Sequence, residues 1–271
     1  MTCYLEPAGV ASLQGSCFVT GMADSDGERL VTLVIAHLLR RRGWRIAVMT
    51  PVAADGVKTN GRWTSAHLTR LRQACSFGLP TSALSPYLLP VAASPAEAAR
   101  AAGLCVDAEV VVDTYQVLAT WADAVMVEGV GGLTVPLGPT LRVDDVAARL
   151  GLPLVLALRV DEAAVTKARQ AMALARARQL VLAGWVATGL DGGAAAAVQA
   201  GEAWETQAGV EGGASAEWLR AAHARLGVPL LGAVAKGVVD VVAAAGCLDA
   251  SRLCAALGLG VRGLESPANA W

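Results

Sequence analysis

Apolar positions along the chain alternate between two spacings. The run SCFVT, Ser16 to Thr20, is short, uncharged and β-favouring, while LVTLVIAHLLRRRGW, beginning at Leu30, carries apolar residues at helical spacing and ends in basic ones. A glycine-containing loop separates the two. RIAVMTPVA, Arg45 to Ala53, then reads as a second buried strand, with Gly43 at the preceding helix terminus and Pro51 near its own end. Further strands are expected at ADAVMVEGV, LPLVLALRV, LVLAGWVAT and LGVPLLGAV, and helix-like stretches such as VDDVAARLG and EAAVTKARQAMALARARQ lie among them. Continuously apolar strands that alternate with helices imply a parallel sheet covered on both faces. The expected architecture is a single α/β domain, residues 16–271, with a doubly wound, mainly parallel sheet and an N-terminal extension over residues 1–15.

Two stretches break the pattern. Gly189 to Trp218 is rich in Gly and Ala without a clear period, and is expected to be a flexible excursion. Gln73 to Ala96 is uncharged and long enough to span a bilayer, but Pro80, Pro86, Pro90 and Pro95 interrupt it, so it reads as a loop-rich segment. The Ala-rich remainder after Val234 is expected to pack back as a terminal helix.

Composition narrows the function classes. Of 271 residues, 55% are hydrophobic and only 17% charged, which excludes a disordered or collagen-like chain. The formal net charge of −1 supplies no pull toward nucleic acid or an anionic membrane surface, and neither is expected as a partner. The six cysteines include no C-x-x-C pair, which disfavours a metal cluster and a disulfide framework. The N-terminus lacks a basic segment before an apolar one, so a cytoplasmic protein is expected.

The chemistry concentrates at CFVTGMADSDGERL. A strand that enters a Gly-flanked loop and then a helix is the arrangement in which backbone N–H groups cradle phosphate, and Gly21 and Gly27 flank the loop here. A working loop of G-x-x-x-x-G-K-[ST] form also needs a lysine for the β and γ phosphates and a hydroxyl for Mg²⁺. Glu28 and Arg29 stand at those positions, and Asp24, Asp26 and Glu28 add carboxylates where phosphate would sit. The same residues also suit a plain strand-to-helix turn whose acidic first turn complements the helix dipole. His37, His67 and His223 belong to no nucleophile pattern and read as ordinary helix residues.

FVTGMADSDGERL resembles the FVTGTDTEVGKT loop of the dethiobiotin synthetase family, and MTPVAADG resembles its KPVxxG segment. VMVEGVGGLTVPL is similar to the family's VEGAGG followed by Pro-Leu, LVLAGWVAT to its strand ending AGWVAN, and SPYLLPVAASP to a loop of NPY…P..SP form. The matches run in chain order from Phe18 to Gly237. The resemblance implies a fold of the P-loop NTPase type and a homodimer. It also implies an ATP- and Mg²⁺-dependent enzyme that carboxylates a diamino fatty acid, phosphorylates the carbamate and closes a ureido ring.

Carried over position by position, the nucleotide site covers Gly21, Ser25, Asp26, Gly27, Glu28, Arg29, Glu128, Gly129, Gly131, Thr188 and Lys236. The loop lysine falls on Glu28 and the Mg²⁺-binding threonine on Arg29. The second lysine, which stabilises the reacting carbamate, falls on Thr50, whose neutral hydroxyl cannot compensate a developing phosphoryl charge. A substrate-contacting serine becomes Ala54, and a Mg²⁺-binding Asp falls near Ser65, which leaves Glu128 as the retained acidic metal ligand. The base-reading Asn is Thr188, and Lys236 is the best cationic candidate for a residual nucleotide contact. ATP and Mg²⁺ binding is therefore expected to be weak or lost, in a paralogue that keeps the scaffold without the catalysis. The alternative is an active synthetase, acting on the diamino acid, in which Arg29 replaces the missing lysine.

Overall fold

The computed structural model describes residues 14–21, 27–92, 94–161, 163–200 and 213–259. Ser25 and Asp26 lie outside the described residues, as do residues 1–13 and 201–212 of the expected extension and excursion. In chain order, the first half comprises β1 (Cys17–Thr20), α1 (Gly27–Arg41), β2 (Ile46–Met49), β3 (Val52–Thr59), β4 (Arg62–Thr64), α2 (Ala66–Ala74), α3 (Thr81–Leu84), β5 (Tyr87–Pro90), α4 (Pro95–Ala101) and α5 (Ala108–Trp121). Then follow β6 (Ala124–Glu128), α6 (Val143–Leu150), β7 (Leu154–Arg159), α7 (Ala164–Ala177), β8 (Leu182–Leu190), α8 (Gly192–Gln199), α9 (Gly213–Leu226), β9 (Leu230–Ala235), α10 (Val241–Ala245) and α11 (Ala250–Ala256).

Six strands form one parallel sheet in the order β2-β6-β1-β7-β8-β9. Every residue of β1, β2 and β6 is buried, which is why these strands read as unbroken apolar runs. Alternation still sorts the two faces. Leu156 and Leu158 of β7 join Trp185 and Ala187 of β8 in a cluster with residues of α7, α8 and α9. Their neighbours Val155, Ala157 and Val186 belong instead to the larger core shared with α1, α2, α5 and α6. Trp185 meets Trp218 of α9 edge to face, with centroids 6.2 Å apart. Complete burial pushes the Cys17 thiol up to about 12, so this cysteine is a core residue and not a nucleophile.

Four expectations are corrected. RIAVMTPVA is two strands, because Pro51 cannot donate to a ladder, and the chain leaves the main sheet after Met49. Residues from Val52 onward enter a second, three-stranded sheet ordered β4-β3-β5, in which β3 and β4 form a hairpin. Asn60 and Gly61 turn that hairpin with φ of 51° and 77°, the pair of positive angles a two-residue type I′ turn requires. Gly189 to Trp218, expected as a flexible excursion without a clear period, is mostly helical in its described part. Asp191 accepts the Ala194 N–H at 2.9 Å and starts α8, and α9 begins at Gly213. The segment between Pro80 and Pro95 holds α3 and β5 in place of an unbroken loop, and the Ala-rich end forms α10 and α11 rather than one helix. Among the described residues no helix is long and apolar enough to cross a membrane.

Candidate functional site

Because all six strands run parallel, their carboxyl ends share one edge of the sheet, the edge at which open α/β sheets bind ligands. Gly21, Thr50, Glu128, Arg159 and Lys236 end or directly follow β1, β2, β6, β7 and β9 there, and Thr188 lies two residues before the end of β8. Two clefts open on this edge, and Arg29, exposed in the first turn of α1, lines both.

The first cleft, of about 180 Å³, is lined by Glu28, Arg29, Thr50, Asp55, His67 and Glu128 among others. The turn after Glu128 is anchored to β1. Gly129 N–H donates to the Val19 carbonyl at 2.7 Å, the Thr20 hydroxyl donates to the Gly131 carbonyl at 3.0 Å, and Gly21 N–H donates to that same carbonyl at 3.3 Å. A Cβ at position 129 would stand 2.8 Å from the Val19 oxygen, and Gly131 has φ of +76°, so both glycines are required by backbone geometry. These bonds hold Glu128, only 3% exposed, beside the end of β1.

The opposite wall comes from α2 and β3. Ser65 caps α2 by accepting the Leu68 N–H at 2.9 Å, and its hydroxyl donates to the Asp55 carboxylate at 2.7 Å. Asp55 also accepts the His67 N–H at 3.3 Å. His67 Nε2 then reaches Glu128 Oε1 at 2.7 Å, a close polar contact without the alignment of a hydrogen bond. Glu128 Oε2 is buried with no hydrogen-bond partner among the described residues. Thr50 is 1% exposed, with its N–H donated to the Leu84 carbonyl at 2.8 Å and its hydroxyl 3.4 Å from the Val52 carbonyl. Glu28 is buried at the start of α1.

The second cleft, of about 400 Å³, is lined by Gly27, Arg29, Arg70, Arg159, Thr188 and Lys236, together with apolar residues. Lys236 N–H donates to the Leu190 carbonyl at 2.6 Å, which ties the turn after β9 to the end of β8. Gly237 follows at φ +84° and Gly189 stands at φ +75°, so both turns use backbone that favours glycine.

The expected site residues are thus brought to one edge but divided. Glu28, Thr50, Glu128 and Gly129 line the first cleft, while Gly27, Thr188 and Lys236 line the second. Gly21 and Gly131 meet at the end of β1. Two expectations about this site are corrected. Ser65 is a helix cap, and the carboxylate beside it in the cleft is Asp55. His67 is no ordinary helix residue, because it contacts Glu128. Sequence spacing held a signal for Asp55, which lies five residues beyond Thr50 in the VAADG segment. It held none for His67, whose partner is sixty-one positions away, the difference between 67 and 128. Among the described residues no group of three or more His, Cys, Asp or Glu is arranged to hold a metal ion.

The fold and the position of the site define a single-domain P-loop NTPase-like protein. A family model described as AAA domain, AAA_26, matches residues 16–237, most of the chain, and the chain belongs to that family, which includes dethiobiotin synthetase. Solved structures similar to this chain include apo McdA of Cyanthece, at 10% identity over 90% of this chain and 96% of that one, with a TM-score of 0.50. The MinC:MinD cell division protein complex of Aquifex aeolicus matches at 12% identity over 85% and 86%, with a TM-score of 0.46. The septum site-determining protein MinD of Pyrococcus horikoshii, complexed with Mg-ADP, matches at 14% identity over 88% of each chain, with a TM-score of 0.42. The likeness to McdA is one of fold.

Proposed function

We propose that the chain is a dethiobiotin synthetase-like protein that keeps the scaffold and has lost most of the family reaction, ATP-dependent carboxylation and ureido ring closure of 7,8-diaminononanoate in biotin synthesis. The observation that carries this reading is the placement of Glu28. It opens α1 and lines the same cleft as Asp55 and Glu128, so a triphosphate seated there would face three carboxylates. Phosphate is attracted to such a helix start by backbone N–H groups and the dipole, and a carboxylate in the first turn works against it.

Mg²⁺ fits no better than phosphate. Glu128 offers one free oxygen, but His67 sits on the other, and the threonine that would add a hydroxyl ligand is Arg29. Thr50 is neutral and engaged with backbone, so it cannot offset charge that develops on a carbamyl phosphate. We read the protein as a catalytically impaired paralogue that forms a homodimer, with weak or absent ATP binding. A second reading, an active synthetase, is favoured by one observation: Arg29 reaches both clefts and can approach phosphate from either.

The test is dethiobiotin formation from the diamino acid, bicarbonate and ATP. The unmodified chain should form none, and E28K with R29T should still form none. Turnover should appear only when T50K is added, because each lost cation is worth about 10²- to 10³-fold in rate. Ready turnover by the unmodified chain would establish the second reading.

A further inference from the structure

We propose that the face made by the β3–β4 hairpin, α2 and the end of α1 binds single-stranded nucleic acid. The net charge of −1 hides an uneven distribution, because residues 40–72 hold eight basic side chains and one acidic one. That acid, Asp55, lines the first cleft and accepts a bond from Ser65 there. The expectation that nucleic acid is no partner rests on the balance of the whole chain, whereas a polyanion meets a local field that fades over about 10 Å in ordinary salt.

The fold joins these cations. α2 begins at the hairpin, since its cap Ser65 directly follows β4, and it ends at the foot of α1. There Arg40 donates to the Gln73 and Ala74 carbonyls at 2.9 and 3.2 Å, and the Ser76 hydroxyl accepts the Ile46 N–H at 2.9 Å, which ties the end of α2 to the start of β2. Lys58 and Arg62 therefore lie at one end of the face and the Arg40 to Arg45 segment at the other, with Arg70 exposed on the helix between them, at the rim of the second cleft. The helix alone spans about 13 Å, more than one compact anion needs. The side chains of Arg41, Arg42, Lys58 and Arg62 make no ion pair or hydrogen bond with another described residue, and the carbonyls that hold Arg40 leave its charge uncompensated. The acid beside the foot is Asp123, which accepts the Arg45 N–H at 2.8 Å.

Trp63 selects the kind of polyanion. It is 45% exposed and stands directly across the hairpin from Lys58, so an aromatic ring and a cation share one side of it. A base of a single strand can stack on such a ring while its phosphates meet the neighbouring cations, and a closed duplex offers no free base. An anionic membrane fits less well, because the outward positions of α2, Ala66, Thr69, Arg70 and Gln73, carry no large apolar side chain to enter a lipid surface.

The face does not include the phosphate loop, so the inference does not depend on whether that loop binds ATP. The test is fluorescence anisotropy of the full chain with labelled oligo(dT) of about 20 nucleotides and with a duplex of the same length, beside sedimentation with vesicles of phosphatidylcholine and phosphatidylserine. Oligo(dT) should bind saturably and more tightly than the duplex, and should lose at least about tenfold in affinity between roughly 50 and 200 mM salt. R41Q with R42Q, and K58Q with R62Q, should each weaken binding about tenfold and flatten its salt dependence. W63A should weaken oligo(dT) about tenfold and leave the duplex within about twofold, and R225Q, on α9 outside the face, should leave both within about twofold. Where W63A disturbs the hairpin, the two charge pairs decide. Absence of saturable oligo(dT) binding, a duplex bound as tightly, vesicles bound in its place, or affinity indifferent to both charge pairs would each overturn the proposal.

Discussion

His67 Nε2 stands 2.7 Å from Glu128 Oε1, with both side chains nearly excluded from solvent. The contact braces the start of α2, which belongs to the β3–β4 side of the molecule, against the carboxyl end of β6 in the main sheet. It also occupies the one acidic position that the family resemblance assigns to Mg²⁺. Replacing His67 by Ala strands a buried carboxylate, and the expected cost is about 1–3 kcal/mol of unfolding free energy. A double-mutant cycle with Glu128→Gln, read by urea unfolding, should return a coupling of about 0.5–3 kcal/mol. Additive single effects would show that the two side chains do not act on each other.

Asp144 is the most deeply committed carboxylate among the described residues. It is fully buried, accepts a forked pair of bonds from Arg142 at 2.8 and 2.7 Å, and meets Arg178 at 2.9 Å. Its hydrogen bonds push the Arg142 guanidinium further above its already high value. Asp144→Asn keeps the shape and removes the charge, and should cost about 1.5–3 kcal/mol in chemical denaturation. The partly exposed arginines can rehydrate, so the loss should stay below that of a fully buried pair.

Gly129 is expected to tolerate no side chain. A methyl there meets the Val19 carbonyl at 2.8 Å and the Phe18 ring at 3.0 Å, both of them fully buried. Gly129→Ala should cost about 1–3 kcal/mol and displace Glu128 from the cleft. An unchanged melting temperature would contradict the tight approach of the turn to β1.

Asp191 carries the clearest pH dependence. Its carboxyl is held below the usual carboxylate range, first by the Ala194 N–H and then by the Ser215 hydroxyl. A lowered folded-state value means that the cap contributes fully above the ordinary value near 3.8 and loses its contribution as pH falls through the lower one. Asp191→Ala should therefore cost about 0.5–2 kcal/mol near neutral pH, with the gap from the unmodified chain closing in acid. Thermal melts over that range measure it, and a gap independent of pH would contradict the capping role.

Much of the scaffold is legible in local pattern. β6, β7, β8 and β9 each appear as an apolar run in the sequence, and residues at or near their carboxyl ends, Glu128 to Gly131, Thr188 and Lys236, fall on the ligand-binding edge because parallel strands must end together. The order of strands is not local. β6 inserts between β1 and β2, and that insertion brings Glu128 beside the end of β1. The hairpin at Asn60-Gly61 has a strong local signal, hidden when the run through Pro51 is read as one strand. α8 is missed because Gly192 to Gln199 is nearly all small residues and gives no amphipathic period; its start is legible only in the Asp191 cap. His67 and Arg70 reach their two clefts through tertiary packing of α2 against the main sheet, for which spacing along the chain carries no record.

Calorimetric titration of the unmodified chain with ATP and Mg²⁺ bears most directly on the central claim, that Glu28 and its neighbouring carboxylates have closed the phosphate loop to triphosphate. Binding should be weak or absent, and E28K with R29T should restore it, because the exchange returns the phosphate cation and the Mg²⁺ hydroxyl together. A dissociation constant in the low micromolar range or tighter for the unmodified chain would contradict the account.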